Sequence, residues 1–357
     1  MNDSLFTSAR CLPGGEHCPL MTASLPGTGG RLTTRSEDFV VDEIPAYEPE
    51  GSGDHWFVRI QKTDVSTPRL CTLMAEAAGI HIRDIGVAGR KDERAVTTQW
   101  LSLPTEPVPP EDPRIIILEQ ARHRHKLRRG HLKGNRFRIR LGGLHPDAEQ
   151  HLPELIEQVS LGVPNYFGDQ RFGYEGSSLS QALAFIAKPR RRVRDPRFLV
   201  SILQSALFNA WLGSRVKDGL FHQAVTGDIL RKRETGGLFI CEEAAVDTER
   251  VQQGLIEAMG PLYGPKMMHS ADVSAEREEV IRAQAEFHAG AWKSMARFGP
   301  GGRRVSRVAP TAFNAVVEGS TLLTDFILPS GCYATTVLSE LAHPEGGRLT
   351  RSDSLST

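Results

Sequence analysis

The segment Asn135-Arg136-Phe137-Arg138-Ile139-Arg140-Leu141 alternates between basic and apolar side chains. Successive residues of a strand point to opposite faces of a sheet, so this pattern predicts a strand with one core face and one basic face. Phe137 belongs to the core face, and packing is its expected role. The basic face consists of Arg136, Arg138 and Arg140.

Other elements are predicted on both sides of this strand. Further strands are expected at residues 55–60, 85–88, 98–103, 115–118 and 322–328. Thr67 and Pro68 are expected to be the N-cap and first turn of a helix that ends at Gly79. Its apolar stripe indicates a core face rather than a cofactor site, and consists of Leu70, Leu73, Met74 and Ala77.

The order of these patterns predicts two domains. Residues 147–298 are dominated by helical periodicity, most clearly at 198–212, whereas strand patterns stop near residue 145 and resume near 310. A chain of 357 residues exceeds the usual size of one domain. We therefore expect an α+β fold in which a helix-rich domain is inserted into a strand-rich one. The ends, residues 1–30 and 343–357, are rich in Gly, Ser, Thr and Pro and are expected to be disordered.

The composition is that of an ordinary globular protein, with 39% apolar and 24% charged residues. The first thirty residues contain no uninterrupted apolar stretch, so we expect a cytoplasmic protein without a membrane partner. The five cysteines are odd in number and mostly far apart, which favours reduced thiols. Cys11, His17 and Cys18 are too few to close a four-ligand zinc site, so no metal is expected.

The net charge is zero, but the basic residues are clustered. Residues 122–140 contain nine Lys or Arg, three His and no acid. A second cluster consists of Lys188, Arg190, Arg191, Arg192, Arg194 and Arg197. Such patches can bind a polyanion whatever the total charge, because salt screens each patch from the rest of the molecule. The alternative is that both clusters are merely solvated surface.

The segment Gly89-Arg90-Lys91-Asp92-Glu93-Arg94-Ala95-Val96-Thr97 places two carboxylates among basic side chains between two predicted strands. This pattern alone is weak evidence for catalysis, because most loop aspartates stabilise turns or cap helices.

Five motifs of the chain, in order, resemble those of the TruD family of tRNA pseudouridine synthases. Ser36–Glu43 (SEDFVVDE) is similar to the family's PEDFxVxE segment, with Ser36 in place of proline, and Gly53-Asp54-His55 matches the Gly-x-His that follows. Ala88–Thr97 resembles AGxKDxxAVT, whose aspartate is the family's catalytic residue. The remaining three are Gly134–Phe137 (GNRF), Gly162–Gly173 (GVPNYFGDQRFG) and Leu328–Thr335 (LPSGCYAT).

The resemblance implies a pseudouridine synthase catalytic domain with a curved, mainly antiparallel sheet, interrupted by a second domain. On this chain the catalytic domain would span residues 31–161 and 308–342, and the inserted domain residues 162–307. It also implies a reaction on tRNA, the isomerisation of uridine at position 13 by Asp92 without cofactor or metal. Asp92 would either attack C1′ or remove a proton at C2′ to give a glycal; both routes need an ionised carboxylate. No protein partner is implied, and we expect a monomer.

Matching positions imply further site residues. Tyr333 would stack on the uracil, and Phe39 and Asn135 would line the pocket; without the motif, Tyr333 would be taken for a core residue. Lys91 and Arg94 flank Asp92 and would either lower its pKa or face tRNA phosphates. The charge pattern, independently of the resemblance, predicts that Arg136, Arg138, Arg140 and Arg190–Arg192 contact the RNA backbone. Family members commonly carry a basic residue where this chain has Thr33, with Arg31 and Arg35 nearby.

Two other functions are open to such a chain. One is RNA binding without chemistry, which is disfavoured because the acidic and pocket positions hold competent residues. The other is glycosidic hydrolysis by Asp92 and Glu93 as an acid and base pair. Adjacent residues of an extended segment point in opposite directions, so this pair is poorly placed to flank one bond.

Overall fold

A computed structural model of the chain describes residues 6, 8–188 and 193–352. The predicted RNA-binding residues Arg190, Arg191 and Arg192 lie outside these described residues. The helices are α1 (Thr67–Ala78), α2 (Ala148–Leu161), α3 (Ser177–Ala187), α4 (Pro196–Lys217), α5 (Ala244–Gln252), α6 (Asp272–Gln284), α7 (Ala289–Phe298) and α8 (Ala334–Ala342).

The strands are β1 (Gly29–Thr33), β2 (Phe39–Pro45), β3 (His55–Thr63), β4 (Gly86–Val87), β5 (Val96–Leu103), β6 (Ile115–His123), β7 (Leu132–Leu144), β8 (Val163–Pro164), β9 (Ile229–Lys232), β10 (Leu238–Ile240), β11 (Ile256–Leu262), β12 (Gly302–Val305), β13 (Arg307–Val308), β14 (Thr311–Glu318), β15 (Thr321–Pro329) and β16 (Arg351–Ser352).

The chain divides into two compact units. The sheet unit comprises Thr28–Leu152, Pro310–Gly331 and the described part of Thr350–Thr357. The helical unit comprises the described part of Met1–Gly27 together with Pro153–Ala309 and Cys332–Leu349. This division differs from the expected boundaries at residues 153–161 and 332–342, which both belong to the helical unit. Residues 332–342 belong there because α8 packs with β8.

The sheet unit is built on a ten-stranded sheet with the central order β14-β15-β7-β2-β5-β3-β6. Strand β1 pairs with β7 and β16, and β4 pairs with β5. The β2–β5 and β1–β16 pairs are parallel, and the other pairs are antiparallel. The predicted α+β class with a mainly antiparallel sheet is therefore confirmed.

Strand β7 is the long central strand that pairs with β1, β2 and β15. Phe137, Ile139 and Leu141 are buried on one of its faces, whereas the arginines between them are exposed on the other. Phe137 stacks on Phe326 of β15 with ring centroids 5.6 Å apart, so packing is its role, as its place on the core face predicts.

Helix α1 covers the β3–β5 part of this sheet. Leu70 and Met74 are fully buried in a cluster with residues of both strands. The helix ends at Gly79, whose backbone is left-handed with φ 64°, as expected. Its N-cap is Ser66 rather than Thr67, because the Ser66 side chain accepts a hydrogen bond from the Arg69 backbone N–H.

The helical unit is centred on α4, which extends beyond the predicted range 198–212 at both ends. Buried residues surround α4 on most sides because helices α3, α6 and α7 and strand β11 pack against it. The strands of the helical unit form a four-stranded sheet, in the order β10-β9-β11-β12, and the short pair β8–β13.

The described parts of the two end segments, within residues 8–30 and 343–352, are packed and so differ from the disordered tails that composition suggested, whereas residues 1–5, 7 and 353–357 lie outside the described residues. Near the N-terminus Cys11, Leu12 and Cys18 are buried in the α4 cluster, and Asn209 Nδ2 donates to the Cys11 carbonyl at 2.7 Å. Near the C-terminus, β16 pairs with β1. Among the described residues, Pro13 and Gly14 lie in a turn of this packed chain. Composition alone does not distinguish such turns from disorder.

Gly213 of α4 provides a test of the packed N-terminal segment. An added Cβ there would lie 1.8 Å from the His17 carbonyl oxygen. We expect Gly213→Ala to lower the free energy of unfolding by about 1 to 3 kcal/mol through overpacking. Were the segment not packed, alanine within a helix would instead stabilise it by about 1 kcal/mol. Urea unfolding of the full chain distinguishes the two signs, with Gly302→Ala, which meets nothing within 4 Å, as the control.

Candidate active site

The loop that carries Asp92 joins β4 to β5 and is anchored at the residue before it. The Lys91 backbone N–H donates to Thr67 Oγ1 at 2.9 Å, and that hydroxyl donates to Gln99 Oε1 at 3.0 Å. These bonds tie the loop to the start of α1 and to β5. The backbone on the N-terminal side of Asp92 is thereby fixed.

A buried ion pair provides a second anchor for the loop. Lys91 Nζ lies 2.5 Å from Glu43 Oε2, and the two side chains are 4% and 1% exposed. Glu43 Oε1 accepts a hydrogen bond from the Trp100 backbone N–H at 3.2 Å. The Lys91 ammonium is therefore paired with Glu43 and buried from solvent, whereas Arg94 is exposed.

Asp92 itself is half-buried, and burial raises the pKa of its carboxyl above the ordinary aspartate value. Lys62, the backbone hydrogen bond of Asp92, Arg351 and Lys91 act in the opposite direction. Flanking cations were expected to lower the pKa of Asp92, but its pKa is raised. The cost of burying the charged carboxylate exceeds the combined effect of the cations.

Lys62 is a site residue that sequence reasoning missed. It is fully buried on β3, and its Nζ donates to the Asp92 backbone carbonyl at 2.8 Å. Burial lowers the pKa of Lys62 to about 8, although Asp92 and Glu93 oppose the shift. Val58, Ile60 and Lys62 are alternate residues of β3, so their side chains point to the same buried face of the strand. A lysine at a position where this alternation predicts an apolar core residue was the signal present in the sequence.

The residues predicted to line the pocket share one face of the sheet with Glu43. Phe39 pairs with Ile139, and Glu43 pairs with Asn135. Phe39 is buried, whereas Asn135 is half-buried, and within the described residues its buried Oδ1 has no hydrogen-bond partner. The sheet unit thus brings Phe39, Asn135 and the Asp92 loop into one region.

The three arginines of β7 lie on the opposite face of the sheet. Each has a carboxylate neighbour: Arg136 bonds Asp325 at 2.7 Å, Arg138 bonds Asp42 at 2.6 Å, and Arg140 lies 3.8 Å from Asp38. Their side chains remain 49% to 58% exposed. This face is separate from the face of Phe39 and Asn135.

Thr33, at the position where family members commonly carry a basic residue, has a local structural role. Its hydroxyl donates to the buried Asp38 carboxylate at 2.7 Å, just before Phe39. Arg31 and Arg35 are both exposed. The guanidinium above the Phe39 ring, 5.6 Å from its centroid, belongs instead to Arg351.

Tyr333 belongs to the helical unit, where it precedes α8. It is half-buried and meets the Phe167 ring edge-on, with centroids 6.1 Å apart. The Arg304 guanidinium lies 4.1 Å from the centroid of the same Phe167 ring and donates to Asn165 Oδ1 at 2.7 Å. The Gly162–Gly173 run therefore contributes to an aromatic and cationic cluster around Tyr333.

A family model described as tRNA pseudouridine synthase D (TruD) matches residues 18–182 and 181–341. The chain belongs to the TruD family. A relative named tRNA pseudouridine synthase D from Anaeromyxobacter sp. (strain Fw109-5) is 41% identical over 90% of this chain and 95% of its own. Another of that name, from Thermus thermophilus, is 35% identical over 92% and 93%.

A solved structure of a Methanosarcina mazei protein assigned to TruD shares the fold of this family member. It has a TM-score of 0.69 at 24% identity, and the match covers 91% of this chain and 96% of the other. None of the helices in the described part of the chain is long and apolar enough to cross a membrane.

The Glu43–Lys91 pair of this TruD family member makes a testable contribution to stability. We expect Glu43→Gln to lower the free energy of unfolding by about 3 to 5 kcal/mol, because it leaves a buried ammonium without a counter-charge. The double variant Glu43→Gln/Lys91→Met removes both charges and should lose less than the single variant. Urea unfolding of both variants checks this, and equal losses would contradict a direct coupling.

Proposed function

We propose that this TruD family member is a tRNA pseudouridine synthase that isomerises uridine to pseudouridine, at position 13 of tRNA, with Asp92 as the catalytic carboxylate. The observation that carries the proposal is the placement of Asp92, which follows the buried Glu43–Lys91 anchor in the same sheet unit as Phe39 and Asn135. The protein is expected to act as a monomer in the cytoplasm.

The reaction requires one carboxylate and a pocket in which a base can turn. The N1–C1′ bond breaks with its electron pair passing to the uracil, and C5 of the turned ring then bonds to C1′ and loses its proton. Asp92 either adds to C1′ as a nucleophile and is displaced when C5 attacks that carbon, or removes a proton at C2′ to give a glycal and returns this proton to C2′ as C5 bonds to C1′. Because both bonds involve the same sugar carbon, neither route needs a cofactor or a metal.

The cations near Asp92 support its ionised form. Burial favours the protonated carboxyl, whereas Lys62, Arg351 and Lys91 favour the carboxylate. Activity should therefore be present above the raised pKa of Asp92 and lost as the pH falls through it. A partly desolvated carboxylate held in this way is a stronger nucleophile or base than one in water.

The target uridine must leave the base stack before Asp92 can reach its sugar. We assign Phe39 to packing against the extruded nucleotide and Asn135 to hydrogen bonding through its amide, whose Oδ1 has no partner among the described residues. Tyr333 is assigned to stacking on the uracil, and Arg94, which is exposed, to a tRNA phosphate.

The two neighbouring carboxylates of the loop differ in exposure. Glu93 is exposed, whereas Asp92 is half-buried next to Lys62. This difference gives a matched pair of variants on one loop.

We expect Asp92→Asn to reduce tritium release from tRNA labelled at uridine C5 by roughly a thousandfold or more, because it removes the only group assigned to covalent or base chemistry. Glu93→Gln should retain the native rate. Native release by Asp92→Asn would exclude Asp92 as the catalytic residue. Free uracil as the product of the native protein, without tritium release, would favour the hydrolytic function.

The exposed arginine face of β7 is proposed to contact tRNA phosphates away from the target nucleotide. We expect a variant with Arg136, Arg138 and Arg140 all changed to Gln to flatten the slope of log K against log salt by about one unit per lost contact. The ion pairs with Asp325 and Asp42 must open for such contacts to form. An unchanged slope in tRNA titrations across salt concentrations would exclude this face from RNA binding.

A further inference from the structure

The C-terminal strand β16 brings an arginine to the face of the sheet that holds the candidate active site. Arg351 pairs with Leu32 of β1, and Leu32 also pairs with Leu141 of β7. Directly paired residues share a face of the sheet, and Leu141 shares its face with Asn135, six residues away along β7. Arg351 therefore lies on the face of Phe39 and Asn135.

Three contacts hold the Arg351 guanidinium beside Phe39 and the Asp92 loop. It lies over the Phe39 ring, 5.6 Å from the centroid. Its Nη1 donates to the Thr33 carbonyl at 3.4 Å, and its Nη2 donates to the Arg94 carbonyl at 3.1 Å. These carbonyls belong to the segments just before Phe39 and just after Asp92, so the side chain is positioned relative to both residues.

The partners of Arg351 differ from those of the other arginines on this sheet. Arg136 and Arg138 each bond a carboxylate. The Arg351 guanidinium instead contacts two backbone carbonyls and an aromatic ring, and no carboxylate of residues 8–188 and 193–352 lies within 4 Å of it. Arg351 is half-buried, and burial lowers its pKa, opposed first by Asp92. A desolvated cation held this way is suited to bind an anion.

We propose that Arg351 binds the phosphate of the target nucleotide and so positions the sugar of that nucleotide at Asp92. This inference rests on the proposed synthase function. Phosphate is the formally charged group of a uridine nucleotide, and a guanidinium matches its geometry with two parallel N–H donors. The Phe39 ring beneath the guanidinium restricts its orientation.

The exposed cations nearby are less suited to this role. Arg31 precedes Leu32 on β1, so its side chain points to the opposite face. Arg35 is exposed, and its closest carboxylate contact is Asp38 at 3.9 Å. Arg31 is therefore a matched control, because its removal changes the net charge by the same amount from a neighbouring strand.

The test compares the full chain with Arg351→Gln, Arg351→Lys and Arg31→Gln in tritium release from C5-labelled tRNA. We expect Arg351→Gln to raise KM by roughly tenfold or more, because a charge-assisted hydrogen bond to phosphate is lost. Arg351→Lys should raise KM by less, because lysine keeps the positive charge. Arg31→Gln should retain the native KM.

The pH profile of single-turnover rates provides a second measurement. Arg351, Lys62 and Lys91 are the cations that favour ionised Asp92, and the two lysines are unchanged in these variants. Arg351→Gln should move the acid limb of the profile to higher pH, whereas Arg351→Lys and Arg31→Gln should leave it near the native position. A residue that only stabilised the fold would leave the acid limb in place.

The outcomes separate this inference from the proposed function. If the native protein is active and Arg351→Gln has the same KM and the same acid limb as the native protein, the role of Arg351 is overturned. The synthase assignment would then remain intact. A lowered unfolding temperature with native KM for the folded fraction would make Arg351 purely structural and would also overturn it. A native protein that released no tritium from tRNA would overturn both proposals.

Discussion

The buried ion pair between Glu43 and Lys91 is the constraint on which the candidate site depends. It joins the end of β2 to the residue before Asp92, and the Lys91 backbone is also bonded to Thr67 at the start of α1. Removing either charge leaves the other desolvated and unpaired, which costs far more than an exposed ion pair contributes. The loop that carries the carboxylate is therefore held through the neighbouring Lys91, in addition to the contact between Lys62 and the Asp92 carbonyl.

Electrostatic balance around Asp92 follows from this placement. Holding the loop against the sheet buries the carboxyl, and burial favours its neutral form. Lys62 below the loop and Arg351 from β16 act in the opposite direction, and both are themselves desolvated. The candidate site thus keeps a carboxylate and its cations close together but not fully paired, an arrangement that is common where a group must react.

The sheet separates two kinds of basic residue by face. Alternation along β7 places Arg136, Arg138 and Arg140 on a solvent face next to carboxylates, whereas Arg351 lies on the face of Phe39. The first set suits contacts along a nucleic-acid backbone that are screened by salt, and the second suits one phosphate in a defined position. A net charge of zero is compatible with both.

The sequence by itself determined the local elements and the motif residues, because strand alternation, helix caps and short motifs are encoded by neighbours along the chain. It predicted β7, α1 and the α+β class, and it proposed Asp92, Phe39 and Asn135. It did not reveal that Lys62 lies beneath Asp92, that Lys91 pairs with Glu43, or that Arg351 reaches Phe39. These contacts join residues from 30 to more than 300 positions apart, and only strand pairing in the folded sheet brings them together.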